Sequence, residues 1–422
     1  MEQLGHRHGR GLAELAGEWV IGHADDSARV AAAVQAHPLL VRAIPHLDLP
    51  VSLVGGAVRD ALLGVVDNED LDLVVEGDAL ALAERLGHEL NVRVVTHERF
   101  ATAYLELPHD NWIDIVRARR ERYPRPGALP VVEPGTLADD LARRDFTINA
   151  MAYRLNGPDA GTLVDPHDGR RDLADGIVRI LRDDAFVEDP TRLLRAVRYA
   201  ARLGFVLEPA TRASARAAAD LVDATSARVG DELRRLLREP AAGSAVVLAA
   251  EIGVPWITGN ATALEDLFAA VDGVLALPGA PPLEPWAVRM GLAIMPEHLP
   301  HVAVDGWARG VAAAATLGPV LRERLGTALA PSQLDAVLNT AKPASVVVAC
   351  ALGEGRIVEW WATMRGMRLA ISGEDLVGAG IAPGPAIGRA LAAVRAARLD
   401  GHVDGARATQ LEVALGAARA PR

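Results

Sequence analysis

The chain has 422 residues, half of them hydrophobic, with a formal net charge of −11 and one cysteine, Cys350. That length allows several compact units, the lone cysteine excludes an intrachain disulfide and a cysteine-based zinc site, and no apolar run suits a signal peptide or a membrane-spanning helix, so a cytoplasmic chain without membrane partners is expected. The acidity is uneven: residues 1–116 carry 19 acidic against 8 basic side chains, whereas the remainder is balanced, which leaves room for local arginine clusters that bind phosphate.

In chain order, residues 11–47 read as helical or mixed, with weak periodicity. VSLVGG (51–56) is strand-like and AVRDALLG opens a helix. LDLVV (71–75) is a strand, ALALAERLGHEL (79–90) an amphipathic helix, and VRVVTHERF, TAYLEL and WIDIV are three further strands ending near Val116. Residues 117–140 contain Pro124, Pro126, Gly127, Pro130, Pro134 and Gly135, which disfavours regular structure. Such a stretch is either a moving part beside a site or a plain surface connection. From about Ala142 the pattern is helical, apart from short apolar pieces at Leu163–Val164 and Val178–Ile180. Residues 281–285 and 378–388 read as connectors. The whole predicts an α+β chain, with the strands at the front and helices behind.

Four clusters carry chemistry. In the first, Gly55 and Gly56 follow a strand and open a helix, where backbone N–H groups approach phosphates closely, and Arg59 offers a triphosphate a charged contact. Asp70 and Asp72 follow on a strand; residues two apart point the same way, so two carboxylates converge. Like charges held that close need a cation, and hard carboxylate ligands beside a nucleotide point to Mg2+. Asp114, inside WIDIV, is either a third catalytic carboxylate or a structural one. In the second cluster, RRDFTINAMA (143–152), Asp145 either caps an apolar helix or joins Arg144 and Asn149 in holding phosphate and sugar. The third, DPHDGRRDL (165–173), makes a turn and reads as a structural joint. The fourth, EDPTRLLRAVRYAAR (188–202), places Arg192, Arg195, Arg198 and Arg202 within an arc of roughly 120° on one helix. That face is either a solvated basic stripe or, with Asp189, a reader of nucleobase edges, since a carboxylate accepts from an exocyclic amino group and a guanidinium donates to ring nitrogens.

Taken together, LVGGAVRDALLG with EDLDLVV, RRDFTINAMA, DPHDGRRDL and EDPTRLLRAVRYAARLGF resemble, in that order, motifs A to D of the class II tRNA nucleotidyltransferase and poly(A) polymerase family. VGDELRRLL (229–237) is similar to its less specific motif E, and ISGEDLVGAGIAPGPAIG to its C-terminal tail. The resemblance implies a polymerase-beta-like nucleotidyltransferase head (51–155) after an N-terminal extension (1–50). A helical neck (156–240), body (241–345) and tail (346–422) would follow. It implies template-independent addition of C and A from CTP and ATP to the 3′ end of tRNA, with Mg2+ at Asp70 and Asp72. Gly56 and Arg59 would hold the triphosphate, and Arg144, Asp145 and Asn149 phosphate or ribose. Asp189 and Arg192 would read the base, supported by Arg195 and Arg198. Residues 117–140 resemble the family's flexible element. Enzymes adding only A or only CC are the near alternatives; a poly(A) polymerase, a small-molecule nucleotidyltransferase and an inactive RNA-binding relative are more distant ones.

Overall fold

A computed structural model describes residues 26–65, 71–98, 101–106, 112–122, 124, 131–258, 263–326 and 329–419. The chain divides into two compact units, Met1–Pro255 and Trp256–Arg422.

The apolar runs of the first unit pair into one seven-stranded sheet. Its strands are β1 (Val51–Val54), β2 (Leu71–Val75), β3 (Val94–His97), β4 (Thr102–Glu106), β5 (Trp112–Arg117), β8 (Ala152–Arg154) and β9 (Leu163–Val164), in the spatial order β3-β4-β5-β2-β1-β8-β9. The β2–β5 pair is parallel and the remaining pairs are antiparallel. Leu53, Leu73, Leu105, Ile113 and Ile115 are at most 2% exposed, and burying each contributes about 1.5–3 kcal/mol. Every residue of β2 is buried except Asp72, so the strand is anchored around one outward-facing carboxylate.

Helices α1 (Asp26–Ala36), α2 (Pro38–Ala43), α3 (Gly56–Leu62) and α4 (Ala79–Leu90) accompany this sheet. The last spans the residues expected from its periodicity. Asp78 caps it by accepting from the amides of Leu80 and Ala81, and Asn91 closes it at φ 54°.

Two expectations are corrected here. Residues 117–140 are not free of regular structure: β6 (Arg119–Arg122) and β7 (Val131–Pro134) form an antiparallel hairpin, followed by α5 (Leu137–Ala142). Pro124 lies past the end of β6, Pro134 is the last residue of β7 and Gly135 follows it, so none of the three interrupts a strand; Pro126, Gly127 and Pro130 lie outside the described residues. The run after Asp145 is not a helix either. It is a single 3-10 turn (Thr147–Asn149) leading into β8, because Ala152 and Tyr153 pair with Val54 and Leu53 of β1. Asp145 therefore caps no helix.

Behind the sheet come α6 (Gly169–Ala174), α7 (Ala185–Glu188), α8 (Thr191–Leu203), α9 (Pro209–Ala217), α10 (Ala227–Arg238) and α11 (Ala242–Ile252). A short parallel pair, β10 (Ile177–Val178) with β11 (Val206–Leu207), interrupts the helical run. Buried Asp172 ties the DPHDGRRDL turn to its surroundings, accepting from Thr147 Oγ1 at 2.6 Å and Arg179 Nε at 2.9 Å. Both α10 and α11 pack on α8, whose Leu193, Leu194 and Val197 are fully buried.

The second unit is helical: α12 (Leu264–Leu275), α13 (Pro285–Ala293), α14 (Gly306–Ala315), α15 (Gly318–Leu325), α16 (Pro331–Thr340), α17 (Pro343–Ala351), α18 (Arg356–Glu359), α19 (Gly373–Gly378), α20 (Pro385–Leu399) and α21 (Arg407–Arg419). Seven consecutive residues of α17, Ala344–Cys350, are buried, making it the central helix of one apolar cluster. Asp335 on α16 accepts from Trp360 Nε1 at 2.8 Å and Arg395 Nε at 2.7 Å, joining that cluster to α20. No described helix is long and apolar enough to cross a membrane.

Candidate active site

A cleft of about 550 Å3 opens in the first unit. Six of the residues singled out from sequence line it: Asp72, Arg144, Asp145, Asp189, Arg192 and Arg195. So do Arg119, Glu121, Arg143, Thr191, Arg228, Asp231, Glu232 and Arg235.

The carboxylate-bearing side of the cleft is built by β1 and β2, with β5 beside them. Gly55 turns the chain after β1 with φ 71° and ψ −130°, a conformation that side chains other than glycine's resist. A Cβ there would lie 2.7 Å from Arg144 Nη1 and 3.5 Å from Asp72 Oδ2, so the missing side chain lets a guanidinium and a carboxylate approach one point. Asp72 is open to water yet enclosed by the cleft. Burial pushes its carboxyl above the usual aspartate value; the charge of Arg144 opposes this and that of Asp140 adds to it. Asp114 is directly opposite Asp72 in the parallel β2–β5 register, so both side chains leave the same sheet face. Asp114 is half-buried and does not line the cleft. Asp70 lies outside the described residues, and among those described no group of three His, Cys, Asp or Glu side chains is set to hold a metal. Asp72, a cleft-lining carboxylate that takes no hydrogen bond among the described residues, has the hard oxygen donors that a divalent cation takes.

The phosphate-binding candidates rest on Asp140. This fully buried carboxylate accepts from Arg143 Nε at 2.9 Å through Oδ1, and from Arg144 Nη2 at 3.0 Å and Nε at 3.2 Å through Oδ2. Glu121 on β6 accepts from Arg143 Nη1 at 2.9 Å and Arg119 Nη2 at 2.8 Å, tying the hairpin to the same pair. The guanidinium groups are thus held in fixed orientation at the cleft wall, a pre-organised array for a polyanion.

Beneath them runs a buried polar chain. Arg59, 2% exposed, donates to Asp60 Oδ1 from Nε at 2.8 Å and to Asn149 Oδ1 from Nη1 at 2.7 Å. Asn149 Nδ2 donates to Asp145 Oδ1 at 3.1 Å, and Arg195 Nε to Asp145 Oδ2 at 2.7 Å. Arg198 donates to Glu232 Oε1 at 2.6 Å and Glu239 Oε1 at 3.1 Å. The three arginines surround the ring of Tyr199 at 5.1, 5.5 and 4.7 Å. Burial would raise the Tyr199 phenol, but Arg195 and the other guanidinium charges bring it below its ordinary value. The arginine face of α8 is therefore paired and largely covered, which excludes the solvated stripe. Arg59, Asn149 and Arg198 do not reach the cleft wall; they support those that do. Gly56 starts α3 beside the Arg59 guanidinium.

Also lining the cleft, Asp189 accepts from Thr191 through Oδ1 and from Arg228 through Oδ2. Arg192 donates to the Arg143 carbonyl at 3.0 Å. Sequence reasoning missed Asp140, Glu121 and Arg228. The i+3 and i+4 spacing of Asp140 to Arg143 and Arg144 was a legible signal; the two longer-range pairings had none.

Residues 51–179 match the Poly A polymerase head domain family. The chain is 37% identical over 372 residues to a CC-adding tRNA nucleotidyltransferase of Deinococcus radiodurans, covering 88% of this chain and 91% of that protein. This chain belongs to the tRNA nucleotidyltransferase and poly(A) polymerase family. It is also 46% identical over 198 residues to an A-adding tRNA nucleotidyltransferase of Halalkalibacterium halodurans, but spans only 46% of that protein's length, and less of two further A-adding relatives. Among solved structures, an apo CCA-adding enzyme superposes with a TM-score of 0.77 at 27% identity, over 96% of this chain and 99% of that one. Related CCA-adding enzymes have been solved with ATP, with CTP and, for the Thermotoga maritima protein, with tRNA. The α+β architecture of this tRNA nucleotidyltransferase family member, a sheet-bearing head and a mostly helical remainder, is that of these enzymes.

Proposed function

We propose that the chain is a template-independent nucleotidyltransferase that builds CCA on the 3′ end of tRNA from CTP and ATP, releasing pyrophosphate. One observation carries the reading: one cleft holds an outward carboxylate on β2, a fixed array of guanidinium groups and the buried side chains of Asp189 and Arg192, a carboxylate and a guanidinium suited to a nucleobase edge. A base can be chosen there by side chains alone.

In this reading the tRNA 3′-hydroxyl attacks the α-phosphate in line and pyrophosphate leaves. Asp72 with Asp70 would hold Mg2+, which when bound lowers the pKa of the attacking hydroxyl and neutralises charge on the phosphate. Arg143 and Arg144 orient the phosphates, with the backbone at Gly55 and Gly56. Asp145 and Arg195 hold the sugar side, backed by Arg59, Asn149 and Arg198. Asp189 accepts from the exocyclic amino group of C or A, and Arg192 donates to the ring. Asp114 supports Asp72. Residues 51–155 are assigned to catalysis, 156–240 to base recognition, and 241–345 with 346–422 to tRNA. The single, buried Cys350 suits a reducing cytoplasm.

A second reading, CC addition alone, is favoured by the near-full-length likeness to the Deinococcus radiodurans protein. Primer extension separates them, using tRNA transcripts ending at the discriminator base, at C and at CC, with CTP, ATP or both. CCA on the first transcript establishes the full activity. Arrest at CC establishes the second reading, and A added only to the CC-ending transcript an A-adding enzyme. No incorporation by folded, Mg2+-supplied protein overturns all three.

A further inference from the structure

Among the described residues, Asp189 is held by three donors. Thr191 donates to Oδ1 from its amide at 3.1 Å and from Oγ1 at 2.6 Å, and Arg228 Nη2 donates to Oδ2. Arg228 stands 39 positions further along the chain, in the first turn of α10. A carboxylate offers about four lone-pair sites. The three donors leave one, on Oδ2, in a side chain that is 6% exposed and lines the cleft. Asp189 and Arg228 also line a second cavity of about 280 Å3, so the ion pair stands between that cavity and the cleft. Without the guanidinium, Oδ2 is left with no donor among the described residues, and only the two Thr191 bonds to Oδ1 hold the carboxylate.

We propose that Arg228 is a specificity-determining positioning residue, which holds the Asp189 carboxylate so that a single acceptor faces the incoming base. This rests on the nucleotidyl-transfer reading above. Cytosine and adenine carry an amino group where uracil and guanine carry a carbonyl oxygen. One fixed acceptor rewards the first pair and sets acceptor against acceptor for the second. A carboxylate free to turn away loses that penalty, and a loosened Oδ2 also binds the correct base less well. Arg228 touches no reacting atom in this scheme; it acts through Asp189.

The test uses the full-length chain, wild type, Arg228→Ala and Arg228→Lys, with tRNA transcripts as primers. The readouts are kcat and KM for CTP against UTP and for ATP against GTP, with thermal melting to compare folding. In Arg228→Ala the kcat/KM ratio of correct to incorrect base should fall about tenfold or more, the size of one charge-assisted hydrogen bond, with the loss for the correct base carried mainly by KM. Arg228→Lys should restore part of the ratio, because it returns the charge without the planar fork. An equal loss on all four nucleotides, or an unchanged ratio, overturns the inference while leaving the nucleotidyl-transfer reading standing. A wild-type chain that incorporates nothing overturns that reading and this inference with it.

Discussion

Arg195 donates from Nε to Asp145 Oδ2 at 2.7 Å and holds Nη2 2.5 Å from the same oxygen. The other oxygen, Oδ1, accepts from the Phe146 amide at 2.9 Å and Asn149 Nδ2 at 3.1 Å. The pair links the head, through the turn after α5, to the first long helix behind it. Burial alone would raise the Asp145 carboxyl, but the Arg195 charge and the Asn149 hydrogen bond outweigh it and hold the value down to about 2.

That value fixes a pH dependence. The folded pKa lies below the ordinary aspartate value of 3.8, so the stabilisation is fully present above the unfolded value and is lost as pH falls through about 2. The difference corresponds to about 2 kcal/mol at neutral pH. Asp145→Asn should lower the unfolding free energy at pH 7 by that amount or more, since it also strands Arg195. The gap from wild type should close steadily between about pH 4 and pH 2. Urea titrations of both proteins at several pH values read this directly; a gap that ignores pH would place the stabilisation elsewhere.

Asp140 is a sharper case because it is fully buried and serves two guanidinium groups. Asp140→Ala leaves Arg143 and Arg144 without their shared partner, at a cost of about 3–5 kcal/mol. Its half-buried neighbour Asp139 completes a capping box with Thr136 and pairs with Arg120, and neither contact reaches the cleft arginines, so Asp139→Ala should cost much less. In nucleotide titrations the first variant should also raise KM for the triphosphate about tenfold, the size of one charge-assisted contact, and the second should not. Equal effects from the two would mean that Asp140 does not orient the arginines.

Gly55→Ala tests the close approach between Arg144 and Asp72. The backbone at φ 71° and ψ −130° strains any side chain by about 1–3 kcal/mol. The added methyl would also meet Arg144 Nη1 at 2.7 Å and displace it. A modest fall in melting temperature with a larger fall in kcat/KM is expected. A fall in melting temperature alone would show that Arg144 can give way without consequence.

The clusters singled out from sequence are legible there because each is local. A glycine turn after a strand, carboxylates two apart and arginines three and four apart on a helix are short-range patterns, and α4 and α8 formed on the residues their periodicity marked. The hairpin β6–β7 is hidden in the sequence because the abundance of proline and glycine disfavours strands, whereas Pro134 and Gly135 sit at the end of β7 and leave its pairing intact. β8 was hidden because RRDFTINAMA has no alternation; its strand exists through pairing with β1. Arg59 looked like a phosphate ligand from its place in the glycine turn, but Asp60 and Asn149 hold it inside. The Asp189–Arg228 and Arg143–Glu121 pairs join residues far apart in sequence, and nothing local announces them.

Burial raises the Asp72 carboxyl above the usual aspartate value, with Arg144 pulling the other way, so the proton competes with a cation for it at higher pH than it would at an exposed aspartate. Binding of a divalent ion requires the deprotonated form and releases the proton. The acid limb of kcat/KM should therefore lie above the ordinary aspartate range at low Mg2+ and move to lower pH as Mg2+ is increased. Asp72→Asn should abolish incorporation while leaving triphosphate binding to the arginines measurable by calorimetry. Asp114→Asn, altering the residue opposite Asp72 in the sheet, should retain activity with a displaced acid limb. If the limb stays fixed across a hundredfold range of Mg2+, Asp72 is not where proton and metal compete. If Asp114→Asn is as inactive as Asp72→Asn, the opposing carboxylate is itself part of the catalytic centre.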